Sequence, residues 1–329
     1  MKSIDMHTHI IPNSFIEAME KDFSASIKIK DGNPYIAFSN GRKHPFEDVY
    51  YDMDARMKYM DKANIDIHGI SVSPGLLYYD FPIETGIKLA VLSNNEINQI
   101  VRQHPDRFFP VGTVPLQDTK ASVDEIQRIK KEFGFQAIQI GTECCGKCIS
   151  DESFFPVYEV AAKASIKIII HPFPYSRKEY MDDYYLTNFV GNPLFTTLAA
   201  TNLVFSGVFD RYPDLIFILC HGGGFVPYQI GRFDHGFTVR SEPRKNISRF
   251  PSYYLKNHFY IDTILHDENA LRCLIDQIGS EKILLGSDFP ADMGDHDPYH
   301  NLLKFGLVGK ELEDIAFNNS QNLFFLDGK

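Results

Sequence analysis

Eight short, uninterrupted apolar segments recur along the chain, beginning at Ile4, Ile67, Phe108, Ala137, Ile168, Ile216, Phe259 and Ile283. Stretches with helical spacing separate them. A strand that alternates apolar and polar residues keeps one face in water. An uninterrupted apolar strand is covered on both faces, which is the habit of a parallel sheet sheathed in helices. Helices are expected around Met53, Met57, Met60 and Ala63, then over residues 85–104, 121–133, 154–164, 194–209, 226–239 and 268–278. Pro105 ends the second of these. Eight parallel strands close into a cylinder, and a chain of 329 residues can hold such a barrel with additions. An open doubly wound sheet would carry a glycine fingerprint after its first strand, and none follows Ile10. The chain therefore reads as α/β, a single (β/α)8 TIM barrel over residues 1–329.

One region breaks the rhythm. Within residues 13–46, Ser26 to Lys30 alternate, Asp31 to Pro34 have turn chemistry, and Tyr35 to Phe38 alternate again before Asn40-Gly41. This reads as a small antiparallel hairpin inserted after the first strand. It is too short to bury a core of its own.

Charge and composition exclude several functions. The net charge is −10 with no basic tail, so nucleic acid is a poor partner. The longest apolar runs are far too short to span a membrane. Asp5 and His7 fall where the apolar core of a signal peptide would lie, so the chain is expected to be cytoplasmic. Five cysteines in a reducing compartment imply no disulfide framework. Cys144, Cys145 and Cys148 contain one C-x-x-C with no second pair, which argues against a zinc site there.

Function in a barrel of this kind collects at the C-terminal ends of the strands. The first strand ends in His7 and His9, the fifth in His171, the sixth in His221 and the eighth in Asp288. Residues two apart on a strand share a face, with Cβ atoms about 6–7 Å apart. His7 and His9 can therefore converge on one ion. The other histidines, among them His68, His104 and His258, lie away from strand ends and read as structural or surface groups. Three neutral imidazoles and a carboxylate suit Zn2+, or Mn2+, with a position left open for water. His7, His9, His171 and Asp288 are the expected ligands. His221 is left free as a base, beside a Gly222-Gly-Gly224 turn where backbone can approach a substrate closely.

This constellation resembles the metal-dependent amidohydrolase superfamily. Within it, Asp5-Met-His-Thr-His9, Val114 to Asp118, Ile138 to Gly141, His171-Pro-Phe173, His221 to Gly224 through Arg232, and Gly286-Ser-Asp-Phe-Pro290 resemble the aminocarboxymuconate semialdehyde decarboxylase family. That family's relatives include decarboxylases of hydroxybenzoates and isoorotate. The two-metal hydrolases of the superfamily carry a carbamylated lysine at the end of strand four. Here that strand ends Gln139-Ile-Gly-Thr-Glu143, with no lysine before Lys147, so one metal is expected and Glu143 reads as a solvent-facing carboxylate.

The resemblance implies loss of CO2 from a small unsaturated or aromatic carboxylic acid, without an organic cofactor. His221 and Asp288 would handle protons. Arg232 matches the arginine that reaches into a neighbouring subunit's site to clamp a carboxylate, which implies a homodimer. The family's second arginine, just before a proline, is replaced by His44-Pro45, with Arg42 and Lys43 upstream. Phe173 falls where an aromatic lid over the substrate is expected, a core-packing role being the alternative. Rival readings are a lactone or amide hydrolase, a hydratase of an unsaturated dicarboxylate, and a metal-binding scaffold without catalysis.

Overall fold

The computed structural model describes residues 2–22, 26–30, 33–38, 43–172 and 179–324. Eight strands, Ile4–Ile10, Ile67–Val72, Phe108–Thr113, Ala137–Gly141, Lys167–His171, Phe217–Leu219, Phe259–Asp262 and Ile283–Leu284, lie side by side in chain order. Every neighbouring pair in that series is parallel. Ile4, Ile10, Ile70, Val111, Ile138, Ile168 and Phe217 are buried among them, as the uninterrupted apolar runs require. Helices on the outside begin where an aspartate can take up free N–H groups. Asp52 accepts from Asp54 and Ala55, Asp118 from Ala121, and Asp267 from Ala270.

The last two strands are short, so the seam between the eighth and the first closes by a few separate bonds. Met6 N–H donates to Leu285 O (2.9 Å), Asp288 N–H to His7 O (2.7 Å) and His9 N–H to Phe289 O (2.7 Å). Asp5 reinforces the seam, accepting from the Ser287 hydroxyl, from Ser287 N–H (3.1 Å) and from His7 N–H (3.1 Å). Burial pushes its carboxyl up to about 7 in spite of those donors.

The pairing of the first two strands slips by one residue between Asp5 and Thr8. A bulge of this kind re-aims side chains next to a site. Arg56, fully buried, pins the bulged strand from helix Met53–Lys62. Its guanidinium donates to Thr8 Oγ1 (3.2 Å), to His68 Nδ1 (3.2 Å), to Val49 O (3.2 Å) and to the carbonyl of His9. It also lies 4.9 Å from the centre of the Phe289 ring.

The insertion is larger than the hairpin expected from its alternation. Helix Asn13–Asp22 comes first, then an antiparallel sheet of Ser26–Lys30, Asn33–Ala37 and Lys43–Pro45. A three-residue strand is too short to show a period, and the helix was hidden because Pro12 marks only where the first strand stops. Two of the turn residues read from the sequence, Asp31-Gly32, and the pair Asn40-Gly41 lie outside the described residues. Ile36, Phe38, Phe46 and Tyr50 join the main core, so the insertion packs on the barrel.

Candidate metal centre

His7 and His9 from the first strand, His171 from the end of the fifth and Asp288 just past the eighth bring their ligand atoms within 4.8 Å of one another. All four residues are buried. The rings of His7, His9 and His171 stand at the corners of an equilateral triangle, 5.0 Å between each pair of centroids and close to edge-on.

The far side of each ring sets its tautomer. His7 Nδ1–H donates to Asp262 Oδ2 (2.7 Å), His9 Nδ1–H to Ser71 Oγ (3.0 Å) and His171 Nδ1–H to Pro172 O (2.8 Å). Ser71 is itself oriented by Thr8 O and Gln139 Oε1, both at 2.9 Å. Each Nε2 is then a lone pair turned inward. The three Nε2 atoms lie 3.3, 2.9 and 3.5 Å from the single oxygen Asp288 Oδ1.

Acceptors this close repel unless a proton or a cation stands among them. A tetrahedral ion with bonds of about 2.0–2.1 Å sets its ligands about 3.3 Å apart. The donor set therefore fits a single divalent ion. His7 Nε2 and His171 Nε2 make no hydrogen bond in the described structure, as expected of atoms that serve a metal.

Electrostatics agree. Burial lowers His9 to about 3 and His171 to about 4, overcoming the pull of Asp288, so both are neutral. At His7 burial is outweighed by Cys220, Asp288 and Asp262, which raise its pKa well above the ordinary value. Burial likewise disfavours the Asp288 carboxylate, but His7 and the hydrogen bonds from His171, His221 and His7 hold it well below the usual range. Of the ligands, His7 is thus the one that holds a proton most tightly when no metal is bound. An incoming ion displaces that proton, so binding tightens as pH rises and weakens as pH falls.

His221 stands next to this set without joining it. Its Nε2 is 3.4 Å from Asp288 Oδ2, and its Nδ1 has no partner among the described residues. His221 and Asp288 both sit in the left-handed region, at φ 55° and 58°, which strains a residue with a Cβ and gathers at functional sites. The three glycines that follow also have positive φ. A Cβ at Gly222 would come within 2.2 Å of Leu265 Cδ2, and one at Gly224 within 2.3 Å of Pro193 O. These glycines thus serve close packing of the turn against protein at both positions, rather than only the approach of a substrate expected from the sequence.

Asp262 was not singled out in the sequence. It ends the seventh strand as a lone aspartate after Tyr260-Ile261, with no spacing to mark it. A second potential ligand group, His7, Cys220 and Asp262, shares His7 with the first. There the Nδ1–H of His7 is already spent on Asp262, which reads as an orienting contact.

The residues expected at the substrate are more scattered. Arg232 is exposed on helix Val226–Val239, and no ion pair among the described residues involves it. His44 is buried, with Nδ1–H donating to Pro45 O and Nε2 accepting from Ser73 Oγ, both at 2.6 Å. Both nitrogens are taken, so His44 fastens the insertion to the rim of the second strand. Arg42 and Phe173 lie outside the described residues. Gln139 of the fourth strand spends its amide on Ser71 and Val72. Glu143 is half-buried in a two-residue ribbon with Cys148 and is not in the ligand cluster. The cysteines at 144, 145 and 148 are free.

The amidohydrolase family profile matches residues 4–326. The chain belongs to the amidohydrolase family. It is 33% identical to a 2-amino-3-carboxymuconate-6-semialdehyde decarboxylase of Dictyostelium discoideum, over 97% of this chain and 88% of that one. It is 26% identical to a gamma-resorcylate decarboxylase of Rhizobium sp., over 94% and 98% of the two chains. Among solved structures, a dihydroxybenzoic acid decarboxylase of Polaromonas sp. superposes with a TM-score of 0.81 at 21% identity, covering 100% of this chain and 98% of its own. That crystal holds manganese and 2-nitroresorcinol. No helix among the described residues is long and apolar enough to cross a membrane.

Proposed function

We propose that this chain is a cytoplasmic, metal-dependent, non-oxidative decarboxylase of a small aromatic or unsaturated carboxylic acid. His7, His9, His171 and Asp288 hold one Zn2+, with Mn2+ as the alternative in view of the manganese bound by the Polaromonas enzyme. The observation that carries the reading is His221, an imidazole at the edge of a complete ligand set, with Nδ1 unpartnered and Nε2 directed at Asp288. Such a group is free to move a proton. Decarboxylation is favoured over hydrolysis by the activity named for relatives that match nearly the whole chain.

The ion, when bound, supplies Lewis acidity towards a substrate oxygen. His221 delivers a proton to the carbon that bears the carboxylate. The bond from that carbon to the carboxylate then breaks, its electron pair restores the unsaturated system, and CO2 leaves. The delivered proton leaves in the product, and His221 takes up a new one from solvent, with Asp288, held as a carboxylate, beside its Nε2 to assist that transfer.

The experiment is an assay of the zinc-loaded chain on 2,6-dihydroxybenzoate, 5-carboxyvanillate and 2-amino-3-carboxymuconate-6-semialdehyde, with a lactone and an amide panel beside them. One CO2 released per acid consumed is expected. Ring opening or amide cleavage without CO2 would move the assignment to a hydrolase.

Arg232 is proposed to reach the site of a second copy, with Arg42 and Phe173 completing the substrate pocket. The reading is supported by the surface around Arg232. Phe225, which caps the helix, Tyr228 and Val239 stand three, four and seven residues from one to the next when Arg232 is counted between the last two, and the three apolar ones are 40%, 79% and 57% exposed. Mixing Arg232→Ala with His221→Asn chains tests it. Hybrid dimers are expected to regain up to about a quarter to a half of wild-type turnover, because one of their sites has both residues. No regain on mixing would place Arg232 outside the partner's site.

A further inference from the structure

One carboxylate touches both halves of the proposed machinery. Asp262 is buried at the end of the seventh strand and accepts four hydrogen bonds. Its Oδ2 receives His7 Nδ1–H (2.7 Å) and the backbone N–H of His221 (3.0 Å). Its Oδ1 receives Gly222 N–H (2.8 Å) and Ile264 N–H (3.2 Å). The first bond turns the Nε2 of His7 inward. The second and third clamp the peptide groups where the chain enters its left-handed turn, at φ 55° and 60°.

A non-glycine residue in that conformation costs about 1–3 kcal/mol and persists only where its surroundings over-determine it. Asp262 supplies that constraint. The same turn aims the His221 ring so that Nε2 lies 3.4 Å from Asp288. No other residue described around the centre bonds both a ligand imidazole and the His221 backbone. Ser71 holds His9 alone, and Pro172 O holds His171 alone.

We propose that Asp262 is a positioning residue that sets the metal-ligand orientation of His7 and the aim of His221 through one carboxylate. The proposal rests on the reading of His7 as a ligand and His221 as the proton carrier. It makes Asp262 responsible for two measurable properties at once.

The test compares Asp262→Asn with Ser71→Ala. Zinc affinity is measured by chelator competition, melting temperature on the metal-free chains, and kcat and KM at saturating zinc on the acid that releases CO2 fastest. Loss of an orienting contact weakens metal binding about 10–100-fold, and this is expected for both variants. Only Asp262→Asn is expected to lose kcat as well, at least tenfold with KM little changed, after zinc is restored. Its pH–kcat profile shifts too, because the proton carrier has moved.

Should Asp262→Asn fail to fold, Asp262→Glu keeps the charge while displacing the oxygens, and the same paired loss is expected. A weakened affinity with full kcat at saturating zinc overturns the proposal, and so does a fall in melting temperature alone. Failure of the underlying reading is separate. It shows as His171→Ala keeping wild-type zinc affinity or His221→Asn keeping wild-type kcat, whatever Asp262→Asn does.

Discussion

His221→Asn is expected to lower turnover by about 10²- to 10⁴-fold, the usual contribution of a positioned acid or base, while zinc affinity stays within a few-fold of wild type. That loss corresponds to about 2.7–5.5 kcal/mol in the barrier. The separation of the two effects follows from the geometry. His221 Nε2 faces Asp288 Oδ2, whereas the three ligand imidazoles face Oδ1. Asparagine keeps a polar group in the mostly buried position and tolerates positive φ better than most residues. The backbone N–H that Asp262 holds is retained. Turnover at saturating zinc and metal content by elemental analysis decide it. Equal loss of both would make His221 a fifth ligand.

His171→Ala is expected to do the opposite, removing the metal first. Structural zinc sites bind with about 10–16 kcal/mol at neutral pH. One ligand of four carries roughly a quarter of that, so zinc affinity falls by about 10²- to 10³-fold. Activity disappears at micromolar zinc and returns in part at millimolar zinc. The melting temperature reports the same change without turnover. Zinc at a thousand times its dissociation constant stabilises the native chain by about 4 kcal/mol, and the variant loses most of that shift. The imidazole accepts no other burden that would confuse the result, because its Nδ1–H meets only the carbonyl of Pro172.

The barrel was legible because its strands are covered on both faces, and unbroken apolar runs are hard to mistake. The five polar residues at their ends were legible for the same reason. In an α/β barrel, a polar side chain that closes an apolar strand points into the mouth of the cylinder. What escaped reading depends on contacts between distant residues. Asp262 meets His7 across 255 positions, and an aspartate after Tyr-Ile looks like any strand end. Arg56 occupies a position of its helix that composition alone assigns to solvent, yet it is buried beneath the bulge of the first strand. His44 stands before Pro45 where the resemblance expects an arginine, with Arg42 as the candidate to take over that arginine's role. Only the structure shows both nitrogens of His44 engaged, by Pro45 and Ser73. The third strand of the insertion, three residues long, has too few positions for any period to show.

The most direct measurement is an anomalous-difference map of the zinc-loaded chain, collected on both sides of the zinc absorption edge. The account predicts one peak per chain, about 2.0–2.2 Å from the Nε2 atoms of His7, His9 and His171 and from a carboxylate oxygen of Asp288, with His221 beyond bonding distance. Two peaks, a peak on His7, Cys220 and Asp262, or zinc coordinated by His221 in place of one of the four would contradict it.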